Sequence, residues 1–211
     1  QALFSIIPVL PQSLPITLVV VQHFPKHSTK ELARRLNEIS EVRVEEAYDG
    51  VELKPGTVWL APGGLHAEVE RNGGTLTLKL HRGPRENGVR PSIDLLFRSA
   101  GWSLGDELLG IILSGCGRDG IAGARVIREY GGNIIVQDPR DALSHSLPLA
   151  VIREGLADNY FPAEQIADQI IRRSDRSGGR SDPSKQQGQE TGSSSGYWVS
   201  DWDDSSTHRP L

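Results

Sequence analysis

The sequence predicts an α/β fold, a doubly wound and mostly parallel sheet with an inserted antiparallel hairpin. Three observations lead to it. Ile16–Gln22 and the apolar run that breaks at Ser114 are continuous and aliphatic, as strands covered on both faces are. Ala67–Arg71 and Thr75–Leu80 alternate with period two around Asn72-Gly73-Gly74, a hairpin signature. Helical patterns separate the apolar runs, and strands that alternate with helices build parallel sheets.

Taken in order, Ala2–Leu10 carries apolar residues at helical spacing and stops near Pro11, which predicts a helix. After the strand at Ile16–Gln22, Ser28-x-x-Glu31 has the form of a capping box opening a helix to about Ile39. Val42–Glu46 and Thr57–Ala61 read as short strands, separated by the turn formers Asp49-Gly50 and Lys54-Pro55-Gly56. The hairpin follows, and Pro91 opens a helix holding Ile93, Leu95, Leu96 and Phe97. Beyond Ser114 come a glycine loop, a helix to about Tyr130, a strand at Asn133–Gln137 and short elements ending in a helix near Ala163–Arg172.

The character changes at Ser174, where 15 of the last 38 residues are Ser or Gly and aliphatics are scarce. Such a stretch buries too little apolar area to offset its ordering entropy. The expected organisation is one α/β domain over 1–173 and a disordered tail or linker over 174–211. Tyr197–Asp204 holds two of the four tryptophans and reads as a linker cluster rather than a docking peptide.

With 211 residues, 37% of them apolar, the chain can bury one substantial core. A net charge of −4 gives no electrostatic pull toward nucleic acid or an anionic membrane. One cysteine excludes an intrachain disulfide and fits a reducing compartment. No apolar stretch reaches the length of a membrane span, and no basic-then-apolar leader opens the chain. The expectation is a soluble cytoplasmic protein without nucleic-acid partner or membrane insertion. Methionine is absent, so the chain is expected to be a fragment.

Glu107–Gly123 is the most informative stretch: a strand, a glycine loop and a helix start. Chemistry collects there in α/β proteins because strand-end amides and helix N-termini meet. Two readings compete. Gly115-x-Gly117-x-x-Gly120 has the spacing of a dinucleotide fingerprint, with Asp138 at the end of the next strand as the ribose acid. Against it, Asp119 would set a carboxylate where a pyrophosphate must sit. The fingerprint also belongs to the first βαβ unit of its domain, whereas a strand, a helix and a hairpin come earlier here.

The other reading is a hydrolase. His23 and Asp119 each lie just beyond a buried strand. Alone, His23 reads as a core-capping histidine, and Asp119 as a helix N-cap bonding amides near Ile121. Together they have the types of a triad's base and orienting acid, one taking the nucleophile's proton, the other fixing its tautomer. A nucleophile is less evident. Ser5 falls inside a helix pattern and Ser114 at a strand end, while Cys116 sits at a helix start suited to a reactive thiol.

Other polar residues say less. His27, His81, His145, His208 and Cys116 lack ligand spacing, so no metal is expected. His66 reads as a loop residue, lining the site or simply on the surface. Arg90, Asp94 and Arg98 read as a charge set on one helix face, worth little if exposed. Arg82 and Arg85 read either as cations for an acidic partner or as a solvated loop.

Four motifs in order, Val-Val-Gln-His-Phe-Pro (20–25), Ala-Pro-Gly-Gly-Leu-His (61–66), Arg-Pro-Ser-Ile-Asp-Leu-Leu-Phe (90–97) and Gly-Ile-Ile-Leu-Ser-Gly-Cys-Gly-Arg-Asp-Gly (110–120), resemble the CheB family of chemotaxis methylesterases. The likeness covers roughly residues 1–173. It implies a doubly wound α/β domain that hydrolyses glutamate methyl esters on the cytoplasmic helices of chemoreceptors, often deamidating receptor glutamines too, without a cofactor. Carried over, His23 is the base, Asp119 the orienting acid, and the Cys116 backbone amide an oxyanion donor, where the family commonly has methionine.

The family's serine sits in a Gly-x-Ser-x-Gly-Gly turn before a helix whose start Gln1-Ala2-Leu3 matches. The resemblance therefore implies a serine about five residues before Gln1, at a strand-to-helix turn that exposes its hydroxyl. A fragment ending its upstream side there is expected to be inactive alone. A non-catalytic signalling module of the same fold is the alternative. Arg118 departs from the family's asparagine and adds a cation beside Asp119. Ser144-His145-Ser146-Leu147-Pro148 follows the family's Phe-Gly-Met-Pro stretch only loosely. Relatives often carry a receiver domain, and others are fused to a receptor methyltransferase, so either module is a candidate neighbour in the parent chain.

Overall fold

A computed structural model describes residues 1–178. Tyr197–Asp204, His208 and nearly all of the expected tail lie outside the described residues. The elements run α1 (Ala2–Ile6), β1 (Leu18–Val20), α2 (Ser28–Glu38), β2 (Arg43–Glu46), β3 (Val51–Glu52), β4 (Thr57–Leu60), β5 (His66–Asn72), β6 (Thr75–His81), α3 (Ile93–Leu104), β7 (Leu109–Ile112), α4 (Ile121–Glu129), β8 (Asn133–Gln137), α5 (Ser146–Arg153), β9 (Asn159–Phe161) and α6 (Ala163–Gly178).

Parallel strands and an antiparallel insertion are both present, as the sequence predicts. The parallel strands form two three-stranded sheets, ordered β1-β4-β2 and β7-β8-β9. The antiparallel sheet is ordered β3-β6-β5, with the hairpin running from His66 opposite His81 to Asn72 opposite Thr75. Among the described residues, β1 and β7 each keep one edge without a ladder partner.

Alternation along the strands sends side chains to opposite faces. From β4, Val58 and Leu60 join one core cluster, whereas Trp59 and the following Ala61 join another. From β8, Ile135 joins the first cluster, while Ile134 and Val136 join a third. The first cluster contains residues of both parallel sheets together with α1, α2 and α6. The other two lie across the sheets from it, and α3 contributes to both, with Leu96 and Ala100 in one and Phe97 against the other.

Several local expectations need correction. The helix expected over Ala2–Leu10 ends at Ile6 and tightens into a 3-10 turn at Ile7–Val9, since Pro8 donates no hydrogen bond. The Ser28-x-x-Glu31 capping box does not form. His27, at φ 72°, is the N-cap of α2, and Glu31 is engaged by Arg34 and Arg35 instead. The two-residue strand β3 is additional, and α6 continues to Gly178.

Candidate active site

β1 ends three residues before His23, and β7 ends seven before Asp119. The loops that follow bring the two side chains together, with His23 Nε2 2.8 Å from Asp119 Oδ2. The His23 side chain is 34% exposed and that of Asp119 only 5%, so an accessible imidazole stands on a buried carboxylate. An ionised carboxylate only accepts, so Nε2 donates in this pair, and in the neutral imidazole Nδ1 then presents a lone pair.

Asp119 is held by more than His23. Ser92 Oγ donates to its Oδ1 at 2.6 Å and the Asp94 amide at 3.1 Å, while the Ile93 amide donates to Oδ2 at 2.7 Å. Asp119 thus caps the start of α3. The expectation that it would bond amides near Ile121 is wrong, because the N-cap of its own helix α4 is Gly120, at φ 111°. Burial pushes the carboxyl up, but the bonds from His23, Ser92 and the two amides outweigh it, leaving Asp119 below the ordinary carboxylate value. Arg118 plays no such part: its side chain is exposed and reaches Glu154 at 3.6 Å.

The glycine loop is pinned to the segment before α5. Gly115 N donates to Ser144 O at 2.9 Å, and Gly115 O accepts from Leu147 N and Ser144 Oγ. The Ser114 hydroxyl donates to Ser144 O and accepts from Ser144 N, so it is committed structurally. Cys116 is an exposed free thiol, and among the described residues its amide donates to no protein group. The 144–148 stretch therefore shapes the loop despite its loose resemblance to the family pattern.

The dinucleotide reading fails on the same geometry. Asp94 Oδ1 already accepts from the Gly120 and Gly123 amides, at 2.9 and 2.7 Å, which are the α4 groups a pyrophosphate would need. Asp138 turns to Arg140 instead. The helix-face charge set does not form as such: Asp94 is buried, Arg98 pairs with Glu86 in a fork, and Arg90 donates to Gly83 O. His66 is neither a surface nor a site-lining loop residue. It opens β5 fully buried, with Nε2 on Pro84 O.

Sequence reasoning missed three groups that hold the pair: Ser92, Asp94 and Asn87, whose Nδ2 donates to Asp94 Oδ2 at 2.8 Å. Pro91-Ser92-Ile93-Asp94 carries a visible helix-start signal, with serine as N-cap and an acid in the first turn. It does not reveal that Ser92 Oγ also donates to Asp119, or that Asp94 accepts from two amides at the start of α4. Among the described residues no cluster of three His, Cys, Asp or Glu could hold a metal ion, and no helix is long and apolar enough to cross a membrane.

Comparison with known proteins places this chain in a family. The sequence profile of the CheB methylesterases matches residues 1–170. A protein-glutamate methylesterase/protein-glutamine glutaminase of Thermotoga maritima is 39% identical over 171 residues, covering 81% of this chain and 50% of the relative. One from Myxococcus xanthus is 41% identical over 164 residues, covering 78% and 47%. The chain thus spans about half the length of the curated relatives it matches. The crystal structure of the Thermotoga maritima CheB methylesterase catalytic domain superposes with a TM-score of 0.79 at 39% identity, covering 81% of this chain and 90% of that one. A matching profile over residues 1–170, close relatives in sequence and a matching catalytic-domain fold converge, and the chain belongs to the CheB methylesterase family.

Proposed function

We propose that this chain carries the base and the orienting acid of a Ser-His-Asp hydrolase that removes methyl groups from glutamate methyl esters on chemoreceptor helices in the cytoplasm. Glutamine deamidation is the companion reaction, as the double name of the relatives suggests. The observation that carries the reading is the 2.8 Å contact of His23 with a buried, otherwise fully bonded Asp119. His23 Nδ1 takes the proton of a serine hydroxyl as its oxygen attacks the ester carbonyl. The tetrahedral oxyanion rests on the Cys116 amide, and collapse expels methanol with the proton from His23. Water then repeats the cycle on the acyl-serine, leaving glutamate.

The serine in this reading lies upstream of Gln1, at the turn between α1 and a preceding strand that enters beside β1 and β7. Two facts support this: among the described residues those strands each keep one edge without a ladder partner, and one core cluster contains residues of both sheets. A receiver or methyltransferase module in the parent chain belongs to the same reading, which rests there on the family resemblance.

Methanol release from methylated receptor tests it. This chain alone is expected to match buffer, the version extended upstream to turn over, and serine to alanine in that version to abolish turnover. Turnover that survives the serine change, and is lost when iodoacetamide alkylates Cys116, would move the nucleophile to the thiol.

A further inference from the structure

Asp94 is 2% exposed, and the proposed chemistry makes no use of it. Its Oδ1 receives the amides of Gly120 and Gly123, the N-cap and third residue of α4. Asp119, one residue before Gly120, does the converse and receives the amides of Ile93 and Asp94 at the start of α3. Each helix start therefore supplies a carboxylate to the other, where unpaired amides and the helix dipole favour negative charge.

Asn87 closes the arrangement. Its Nδ2 donates to Asp94 Oδ2 at 2.8 Å and lies 3.5 Å from Asp119 Oδ1. An amide with two hydrogens between two carboxylates offsets their mutual repulsion. One anchor of Asp119 is the backbone amide of Asp94 itself, which holds Oδ1, so displacing Asp94 shifts the carboxylate whose other oxygen, Oδ2, faces His23. A helix cap of the usual kind comes from the residue before its own helix and orients nothing else. This one is exchanged between two helices, and one of its members faces His23.

On the hydrolytic reading above, we propose that Asp94 is a positioning residue for the His23–Asp119 pair, acting through the α4 N-terminus with Asn87 as the bridge. Asp94→Ala, Asp94→Asn and Asn87→Ala test this in the present chain, with the His23 imidazole followed by ¹⁵N NMR. The unaltered chain is expected to show one tautomer, protonated at Nε2, with a slowly exchanging proton. Asp94→Ala is expected to lose that proton and mix tautomers. Asp94→Asn, which keeps an oxygen for the Gly120 and Gly123 amides, is expected to restore much of the signal. Should Asp94→Ala not fold, Asn87→Ala carries the test, because it leaves both caps in place and is expected to weaken the same signal.

In the upstream-extended protein, Asp94→Ala is expected to lower kcat about 10²-fold at unchanged KM, the scale of a small misplacement. A folded Asp94→Ala or Asn87→Ala chain with the parent's tautomer and protected proton overturns the proposal. The expected NMR changes without methanol release from the extended protein would overturn the hydrolytic reading and leave the positioning geometry standing.

Discussion

The groups around the Asp119 carboxylate all donate to it: His23 Nε2, Ser92 Oγ, the amides of Ile93 and Asp94 and, at 3.5 Å, Asn87 Nδ2. An asparagine there must turn its NH₂ toward donors, whichever way it faces. In the upstream-extended protein Asp119→Asn is therefore expected to lower turnover by about 10⁴-fold, as a wrong tautomer does in other triads. The structural cost of the mismatched bonds is about 1–3 kcal/mol. Acid unfolding gives a second readout. Asp119 titrates below its ordinary value, so its stabilisation is complete above the unfolded pKa of about 3.9 and is lost as pH falls through the lower folded value. Denaturant midpoints measured down the acid limb should fall less steeply for Asp119→Asn; identical slopes would mean the carboxylate adds no such stability. His23 and Asp119 were legible as candidates because each follows a continuous apolar run that reads as a strand. Asp94 was not, since Arg90, Asp94 and Arg98 at four-residue spacing look like a surface ladder. Its burial comes from residues 26 and 29 positions away, which no local pattern records.

At the scale of elements, α3 and α4 meet at Gly123. A β-carbon there would lie 2.5 Å from Phe97 Cβ and 3.0 Å from the Asp94 Cα, neither of which is the flexible end of a side chain. Gly123→Ala would gain about 1 kcal/mol in helix propensity. Forcing the helices apart costs about 1–3 kcal/mol and strains the Gly123 amide's bond to Asp94. A net fall in the denaturant midpoint is expected, and a rise would show that the interface yields freely. The strands were readable because covered strands exclude polar residues, and β8 has the predicted bounds, Asn133–Gln137. The start of α2 was misread because Glu31 had nearer cations than the amide a capping box requires. Two-residue β3 was hidden behind the turn formers Asp49-Gly50, since its pairing with β6 is set by partners 25 or more residues away.

For the molecule as a whole, an α/β fold with a hairpin insertion followed from the order of apolar runs, because that order decides which faces need cover. The separation of the parallel strands into two sheets did not follow, since register and neighbours are long-range choices that apolar runs leave open. That separation has a consequence for behaviour in solution. β1 offers Leu18-Val19-Val20 and β7 offers Leu109-Gly110-Ile111-Ile112 along edges that lack a ladder partner among the described residues, with no Lys or Pro in either strand to discourage another chain. The isolated chain should self-associate as its concentration rises, and the upstream-extended protein should remain monodisperse under the same conditions. Sedimentation velocity distinguishes the two, and an isolated chain that stays monomeric throughout would mean those edges are already covered. Edges that the proposed upstream strand would join into one sheet would then, in the separated chain, be an adhesive surface whose hydrogen-bonding groups take the first strand that reaches them.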